Sequence, residues 1–257
     1  MLSKCLCALS DYFKMAIFAD FAAPNECSGV LAGYCVNDSI FIDQTLTLRT
    51  GRRVRVELEP QDYAKIAQLD RKLLTQHKYI VGWFHSHSGG IFFSGTDEAT
   101  HRQWTTHFAD AIGIVLDASH LRRKKAMGCF IYNKSRDEFK QIPTVLFKDS
   151  NASLDQILSQ ALPNSLNNFQ KEIISHFKAH QEIFEDIFHQ EQAQALQVIK
   201  AQDITSNTVY YFEQDSNFEH ELHLLLNKRC AEKTEIQIKK ITQKETLTWE
   251  FRTEKEN

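Results

Sequence analysis

Glycine is absent from the second half of this sequence. All nine glycines lie within the first 128 of the 257 residues, and the whole chain has only four prolines. Glycine is typical of turns and of places where the backbone approaches another group closely. We therefore expect a turn-rich α/β domain over residues 1–148. A mainly helical extension over residues 149–257 would end in short strands and serve assembly or partner binding.

The sequence also lacks a long apolar run, a strong net charge and a CxxC pair. Residues 15–19 are apolar but meet Asp20, far short of the roughly 20 residues of a membrane span. Lys4 and the short apolar stretch after it do not resemble a secretory signal. The net charge of −3 argues against a nucleic-acid partner. We expect six reduced cysteines and a cytoplasmic protein, or also a nuclear one in a eukaryote, that binds neither membrane nor nucleic acid.

Helix and strand patterns alternate through the first half. Apolar residues at helical spacing cover residues 2–23, and further helices are expected to begin at Pro60 and near Ser94. The nearly continuous apolar run at residues 79–84 is typical of a central strand covered on both faces. Further strands are predicted over residues 29–34, 39–42, 53–58, 111–116 and 126–132.

The second half carries two helical patterns and then strand patterns. A short amphipathic helix is expected over residues 154–161, and apolar side chains at helical spacing predict a long helix over residues 166–188. Such an apolar stripe usually packs on its own domain, and a partner-binding helix is the alternative. Residues 209–212 predict a strand, and the alternation in residues 236–238 and 247–251 predicts a terminal hairpin.

Several possible metal-binding side chains lie close together in residues 83–97, WFHSHSGGIFFSGTD. His85 and His87 end a predicted strand, where side chains at i and i+2 project to the same side and can reach one cation. Asp97 lies in the first turn of the next helix, where a carboxylate is favoured and can face the strand end. Two histidines, a carboxylate and an open fourth position suit a catalytic zinc ion. The alternative is a chance His-x-His pair followed by a capping box of Ser94 and Asp97.

This segment resembles the JAMM motif of the MPN+ zinc metalloproteases, which consists of an upstream Glu, His-x-His, a spacer and Ser-x-x-Asp. Residues 24–33, PNECSGVLAG, resemble the family's helix-to-strand junction, where the Glu precedes an apolar strand. Residues 82–87, GWFHSH, closely resemble the strand ending of the proteasome-lid and signalosome isopeptidases. The resemblance covers about residues 1–148. It implies an α/β fold of the MPN type, with a mixed sheet flanked by helices.

The resemblance also implies a role for each matching residue. His85, His87 and Asp97 would bind Zn²⁺. Glu26 would act as the general base, and Ser94 would donate a hydrogen bond to the oxyanion of the tetrahedral intermediate. The loop that follows the histidines would bind the substrate through Gly89, Gly90, Ile91, Phe92 and Phe93.

The same loop departs from the family pattern in two ways. Six residues separate His87 from Ser94, one fewer than the family's usual spacing. Ser88 stands where the family usually has proline. The implied metal ligands are nevertheless all present.

The implied function is zinc-dependent cleavage of an isopeptide bond, which would release ubiquitin or a ubiquitin-like protein from lysine. An MPN-domain protein or another subunit of a complex would be a further partner. Two alternatives remain open. One is a JAMM peptidase that acts on another small modifier or a sulfur-carrier adduct. The other is a non-catalytic MPN scaffold subunit, although scaffold members have usually lost ligands that this sequence retains.

Three other features have simpler interpretations. His101 lies one helical turn after Asp97 and is expected near the metal or in solvent, but not as a ligand of a second metal. Cys5 and Cys7 are expected as small buried residues of the first helix. The basic residues 122–125 are expected to form a solvated turn and, as a second interpretation, a docking patch for an acidic partner.

Overall fold

A computed structural model describes residues 2–36, 38–52, 58–76, 78–149, 152–161, 168–203, 208–213, 236–241 and 246–250. The chain divides into two units. The first consists of Met1–Leu146 with Ala152–Ala195, and the second of Phe147–Asn151 with Leu196–Asn257. The elements of the first unit are β1 (Lys4–Ala8), α1 (Leu9–Ala22), β2 (Cys27–Val36), β3 (Ser39–Thr50), α2 (Pro60–Leu74), β4 (Tyr79–His87), α3 (Gly95–His107), β5 (Ile112–Asp117), β6 (Met127–Asn133), β7 (Glu138–Ile142), α4 (Leu154–Ala161), α5 (Asn168–Ala179) and α6 (Gln181–Gln194).

The sheet of the first unit is mixed. Its strands follow the order β1-β3-β2-β4-β5-β6-β7. β1 runs parallel to β3 and β4 runs parallel to β5, whereas the other neighbouring strands are antiparallel. Helices flank this sheet, which confirms the predicted fold class.

The two faces of the sheet are covered by different helices. α1 is buried around nearly its whole circumference, as expected for a helix that is apolar on all sides. Its rings at Tyr12, Phe13 and Phe18 belong to the main core, which includes Phe84 of β4. α2 packs Leu69 and Leu73 into a smaller cluster on strands β2 and β3, which also contains Val30 and Leu48.

The first predicted helix is wrong at its beginning. Residues 4–8 form β1, and the helix starts only at Leu9. β1 pairs with β3 in parallel, with Lys4 opposite Ser39 and Cys7 opposite Ile42. Tertiary pairing therefore overrides the local helical spacing. Cys5 and Cys7 are buried as predicted, but in a strand. No disulfide bond joins the described cysteines, which are Cys5, Cys7, Cys27, Cys35 and Cys129.

The helices after residue 152 belong to the first unit, so the structure differs from the predicted boundary between residues 148 and 149. Phe177, Phe184 and Phe188 are buried in the same core as α1, and the Phe188 ring lies 5.2 Å from that of Phe13. The long predicted helix is two helices, since α5 ends at Ala179 and α6 begins at Gln181. The apolar stripe packs on its own domain.

The second unit consists of strands. β8 (Thr144–Lys148) begins in the first unit, and its last residues pair with β9 (Leu196–Asp203). The sequence patterns did not predict strand β9. β9 also pairs with β10 (Thr208–Glu213) and with β11 (Ile236–Ile241). β11 and β12 (Thr246–Glu250) form the predicted antiparallel hairpin. The strand predicted over 53–58 falls, except for Leu58, outside the described residues. Within the described part of the chain, every helix is too short or too polar to cross a bilayer.

Candidate metal centre

Both histidines of the site lie at the end of strand β4. It is buried from Val81 to His87 and lies between antiparallel β2 and parallel β5. His85 and His87 alternate with Ser86, so both rings project from the face that meets α3. The chain then turns at Gly90, whose φ of +91° lies in the region that favours glycine.

Three ligand atoms converge where β4 ends and α3 begins. The Nε2 atoms of His85 and His87 lie 3.0 Å apart. Asp97 places Oδ1 3.1 Å from His85 Nε2 and Oδ2 3.4 Å from His87 Nε2. A tetrahedral zinc ion with bonds of about 2.0–2.1 Å separates its ligand atoms by about 3.3 Å. The distances between the two histidine nitrogens, and from each nitrogen to the carboxylate oxygen that faces it, therefore fit zinc.

The protonation states of these groups also suit a cation. Burial lowers the pKa of His85, which favours the neutral imidazole that a metal requires. Burial alone would raise the pKa of Asp97, but hydrogen bonds with His85, His87 and Ser94 outweigh it and hold the pKa well below its usual range. Asp97 is therefore a carboxylate at neutral pH.

Ser94 and Asp97 form the capping box of α3 as well as part of the site. The Ser94 backbone N–H donates to Asp97 Oδ2 at 2.7 Å, and the Asp97 N–H donates to Ser94 Oγ at 3.3 Å. The cap fixes the carboxylate so that it also faces the two histidines. Since Ser94 Oγ is the acceptor in this cap, its own proton is free to be donated towards the cleft that it lines.

Glu26 lies in the segment between α1 and β2 and lines the same cleft. Its backbone is held on both sides, because its N–H donates to the Arg52 carbonyl at 3.0 Å and its carbonyl accepts from Gly51 at 2.7 Å. Partial burial raises the pKa of Glu26 to about 7; His87 opposes this rise and the negative charge of Asp97 adds to it. A carboxyl group with such a pKa can both accept and return a proton near neutral pH.

In the loop at residues 88–93, some side chains pack against the protein and others are exposed to solvent. The Phe93 ring stacks on the Phe130 ring, with 4.4 Å between their centroids. Ile91 packs against Gly128 so closely that a Cβ atom added to Gly128 would lie 2.3 Å from Ile91 Cγ2. Phe92 is 50% exposed, and its ring lies 4.6 Å from that of His87. Of the predicted substrate-binding side chains, Phe92 is thus the one presented beside the ligand atoms.

Several residues of the cleft were not predicted from the sequence. They form the wall on the side of His85 and comprise Ser28, Leu58, Trp83, Thr100 and Trp104. Trp83 precedes His85 by two residues and Trp104 follows Asp97 by seven, so strand and helix periodicity would have indicated these two. Ser28 lies opposite His85 in the β2–β4 register, which no local pattern reveals.

His101 supports the site through Trp83. The Trp83 indole stacks on the His85 ring at 4.7 Å and donates its N–H to His101 Nδ1 at 3.1 Å. Burial lowers the pKa of His101 to about 4, against a smaller opposing interaction with the Ala111 backbone. A neutral His101 is therefore part of the folded state.

The low pKa of His101 predicts acid sensitivity. Between pH 6.5 and 4 the unfolded chain binds a proton at His101 that the folded chain does not. The free energy of unfolding therefore decreases as the pH is lowered through this range. We expect His101→Gln, which keeps an acceptor for Trp83, to reduce the loss between pH 7 and 4.5 by about 2–3 kcal/mol. Urea unfolding of wild type, His101→Gln and the exposed control His107→Gln measures it. Equal pH dependence in all three proteins would contradict the burial argument.

A second group of possible metal-binding side chains lies elsewhere in the first unit: Asp20, His176 and His180. Arg122 donates to both oxygens of Asp20, at 2.8 Å from Nε to Oδ1 and at 2.9 Å from Nη2 to Oδ2. His176 Nε2 lies 2.6 Å from Asp20 Oδ2. Since a guanidinium group already neutralises the carboxylate, we interpret this group as an ion-pair cluster. The predicted solvated turn at residues 122–125 is thus anchored at Arg122.

Comparison with known proteins identifies a family that matches the region of this site. Residues 13–127 match the sequence profile of a family described as prokaryotic homologs of the JAB domain. Residues 13–127 therefore form a domain of the JAMM/MPN family. The matched region contains β2, β4 and α3, and therefore the ligand atoms and the segment that carries Glu26.

Curated relatives match part of the chain. COP9 signalosome complex subunit 5 of Kluyveromyces lactis is 31% identical over 116 residues, which cover 44% of this chain and 31% of that protein. 26S proteasome non-ATPase regulatory subunit 14 of Drosophila melanogaster is 32% identical over 40% of this chain and 35% of that protein. NAD(+) hydrolase TcpA of a Theionarchaea archaeon is 25% identical over 54% and 42%. The chain thus matches less than half the length of each of these relatives.

Proposed function

We propose that this protein is a zinc-dependent isopeptidase that releases ubiquitin or a ubiquitin-like protein from lysine. The observation that supports it best is the convergence of three ligand atoms, 3.0–3.4 Å apart, beside a cleft that Glu26 also lines. Similarity to a signalosome subunit and to a proteasome subunit also supports the proposal.

Each residue of the site has its own role in the proposed reaction. His85, His87 and Asp97 would hold Zn²⁺, which would supply Lewis acidity and lower the pKa of a water molecule from about 15.7 to about 7. Glu26 accepts a proton from the attacking water and delivers it to the leaving amine of lysine. The Ser94 hydroxyl donates to the carbonyl oxygen as negative charge develops on it, where one positioned donor lowers the barrier by about 3–4 kcal/mol.

A second candidate function has support of its own. The matching family profile is that of prokaryotic homologs of the JAB domain, which favours a peptidase acting on another small modifier or sulfur-carrier adduct. A panel of diubiquitins and modifier fusions, incubated with the zinc-loaded protein, distinguishes the two. Cleavage of diubiquitin supports the isopeptidase, whereas cleavage of the other fusions alone supports the second candidate.

We also propose that the protein works with other subunits in the cytoplasm. Two of its relatives are named as subunits of the COP9 signalosome and of the 26S proteasome. An MPN-domain protein is the partner that the family resemblance suggests. Copurification followed by mass spectrometry tests this proposal.

Zinc content tests the proposed ligand set directly. We expect one zinc ion per chain in wild type and less than a tenth of that in His85→Ala or Asp97→Ala, because removal of one ligand leaves only two of the three protein donors. Elemental analysis after dialysis measures it. His107→Ala, which changes an exposed histidine at the end of α3, should retain wild-type zinc. Full zinc content in both ligand variants would show that the metal, if any, binds elsewhere.

A further inference from the structure

Ser86 lies between the two histidines of β4, and its side chain projects away from theirs. Successive side chains of a strand point to opposite faces of the sheet, so Ser86 faces the side that is opposite to the His85 and His87 rings. The residue is 0% exposed, and it is not among the described residues that line the cleft. Any effect of Ser86 on a reaction at this site is therefore exerted through another residue.

The Ser86 hydroxyl connects β4 with the beginning of β2. Its Oγ accepts a buried hydrogen bond from the backbone N–H of Cys27 at 3.0 Å. Cys27 directly follows Glu26, the proposed general base. Buried backbone N–H groups are nearly always paired, so the chain beside Glu26 is constrained to keep this contact.

This hydrogen bond continues the pairing of β2 with β4 to the level of the ligand atoms. In the backbone register of the two strands, Ser28 lies opposite His85. The same antiparallel register, continued by two residues, places Glu26 opposite His87. Opposite residues of an antiparallel pair share one face of the sheet. The contact made by Ser86 therefore keeps Glu26 on the face where the histidine rings lie.

Glu26 is held from the side of β3 by different contacts. Its N–H donates to the Arg52 carbonyl at 3.0 Å, and its carbonyl accepts from the Gly51 N–H at 2.7 Å. These two bonds fix the backbone towards one neighbouring strand, and the bond to Ser86 fixes the next residue towards the other. Together they determine how far the Glu26 carboxylate lies from the ligand atoms.

We propose, on the basis of the proposed function, that Ser86 is a positioning residue for the general base. Its hydroxyl holds the backbone beside Glu26 in the register at which the carboxylate reaches the attacking water. Proton transfer depends steeply on such geometry, since a displacement of about 1 Å can lower a rate by about 10²-fold. The serine between the two histidines thus has a role that is separate from metal binding.

Ser86→Ala tests this role in the reaction. We expect kcat for a ubiquitin-type substrate to fall by about ten- to a hundredfold and KM to stay within about twofold of wild type. Zinc content should equal that of wild type, because the hydroxyl bonds the neighbouring strand and not a ligand. Ser86→Thr, which retains a hydroxyl, should restore most of the lost kcat. A wild-type kcat in Ser86→Ala, or a loss of zinc that accounts for the lower kcat, would overturn the proposal.

Tyr79→Phe is the matched control for Ser86→Ala. At the other end of the same strand pair, Tyr79 Oη accepts a hydrogen bond from the backbone N–H of Cys35 at 2.7 Å. This variant also removes one bond between a β4 hydroxyl and a β2 amide, but far along the strand from Glu26. Its kcat should equal that of wild type. An equal fall of kcat in both variants would show that the rate follows the stability of the strand pair, which would refute a specific role for Ser86.

A double variant tests whether Ser86 acts through Glu26. If it does, adding Ser86→Ala to Glu26→Gln should lower the residual rate by less than about twofold, because the group that it positions is already absent. If the two losses multiply instead, Ser86 acts on some other group and the proposal fails.

Hydrogen exchange tests the contact without any cleavage. The chain has six cysteines, so protein labelled with ¹⁵N-cysteine gives six backbone amide signals, and Cys27→Ala identifies that of Cys27. In Ser86→Ala the Cys27 amide should exchange at least about tenfold faster, whereas the Cys35 amide should keep its wild-type rate. Tyr79→Phe should give the reverse pattern. An unchanged rate at Cys27 in Ser86→Ala would refute the contact.

Crystal structures of the zinc-loaded wild type and Ser86→Ala separate this proposal from the proposed function. The distance from the Glu26 carboxylate to the metal should increase by about 1 Å in the variant. If it does so but wild type cleaves no ubiquitin-type substrate, the catalytic proposal alone fails. If wild type cleaves such a substrate and the distance is the same in both proteins, the role of Ser86 is refuted and the catalytic proposal stands.

Discussion

Glu26→Gln is expected to lower turnover of a ubiquitin-type substrate by about 10²–10⁴-fold, the usual contribution of a positioned proton acceptor. Zinc content should not change, because the proposed ligand set of His85, His87 and Asp97 does not include Glu26. Substrate affinity should change little, since the lost proton transfer belongs to the transition state and not to ground-state binding. Rate, affinity and zinc content are measured on the same preparation.

Glu98→Gln is the matched control for this variant. Glu98 follows Asp97 in the first turn of α3 and is a carboxylate near the site. If Glu26 is the base, Glu98→Gln should retain turnover within a few-fold of wild type. Near-normal turnover in Glu26→Gln together with a collapse in Glu98→Gln would assign the base to Glu98. Loss of zinc in Glu26→Gln would instead make Glu26 a ligand.

The convergence of His85, His87 and Asp97 could be predicted because its geometry is local. His85 and His87 share a strand face, and Asp97 begins the next helix, so periodicity and a short turn suffice to bring them together. Glu26 is different, because 58 residues lie between it and His85. Its place beside them depends on the pairing of β2 with β4, where Ser28 lies opposite His85. Only the family resemblance indicated Glu26, and no spacing rule would have done so.

The parts that the sequence did not predict depend on tertiary packing. Residues 4–8 continue the apolar spacing of α1 without a glycine or proline between them. Only tertiary pairing, such as that with β3, marks them as a strand. Leu58 joins the cleft wall from the segment before α2, with no signal in its neighbours. The boundary predicted after residue 148 rests on the absence of glycine beyond Gly128. An apolar helix stripe needs a core, however, and here that core contains α1.

Phe184→Ala is expected to reduce the free energy of unfolding by about 3–5 kcal/mol, the range for removal of a buried phenylalanine ring. Phe184 is 0% exposed and belongs to the core that contains α1. Its neighbour Ile183 is 39% exposed, so Ile183→Ala should cost less than about 1 kcal/mol. Urea unfolding followed by circular dichroism measures both. Similar small losses in the two variants would mean that α6 does not stabilise the core.

The same packing predicts which truncations fold. α1 lies against α4, α5 and α6 as well as against the sheet, and the ion pair between Arg122 and Asp20 at its end is extended by His176 of α5. A chain ending at Asp149 would expose the apolar side of α1, so we expect it to aggregate or to lose its cooperative transition. A chain ending at Ala195 retains α4–α6 and should unfold cooperatively and bind zinc. If the shorter chain is soluble, cooperative and zinc-loaded, the catalytic core ends before α4 and those helices are dispensable for its folding.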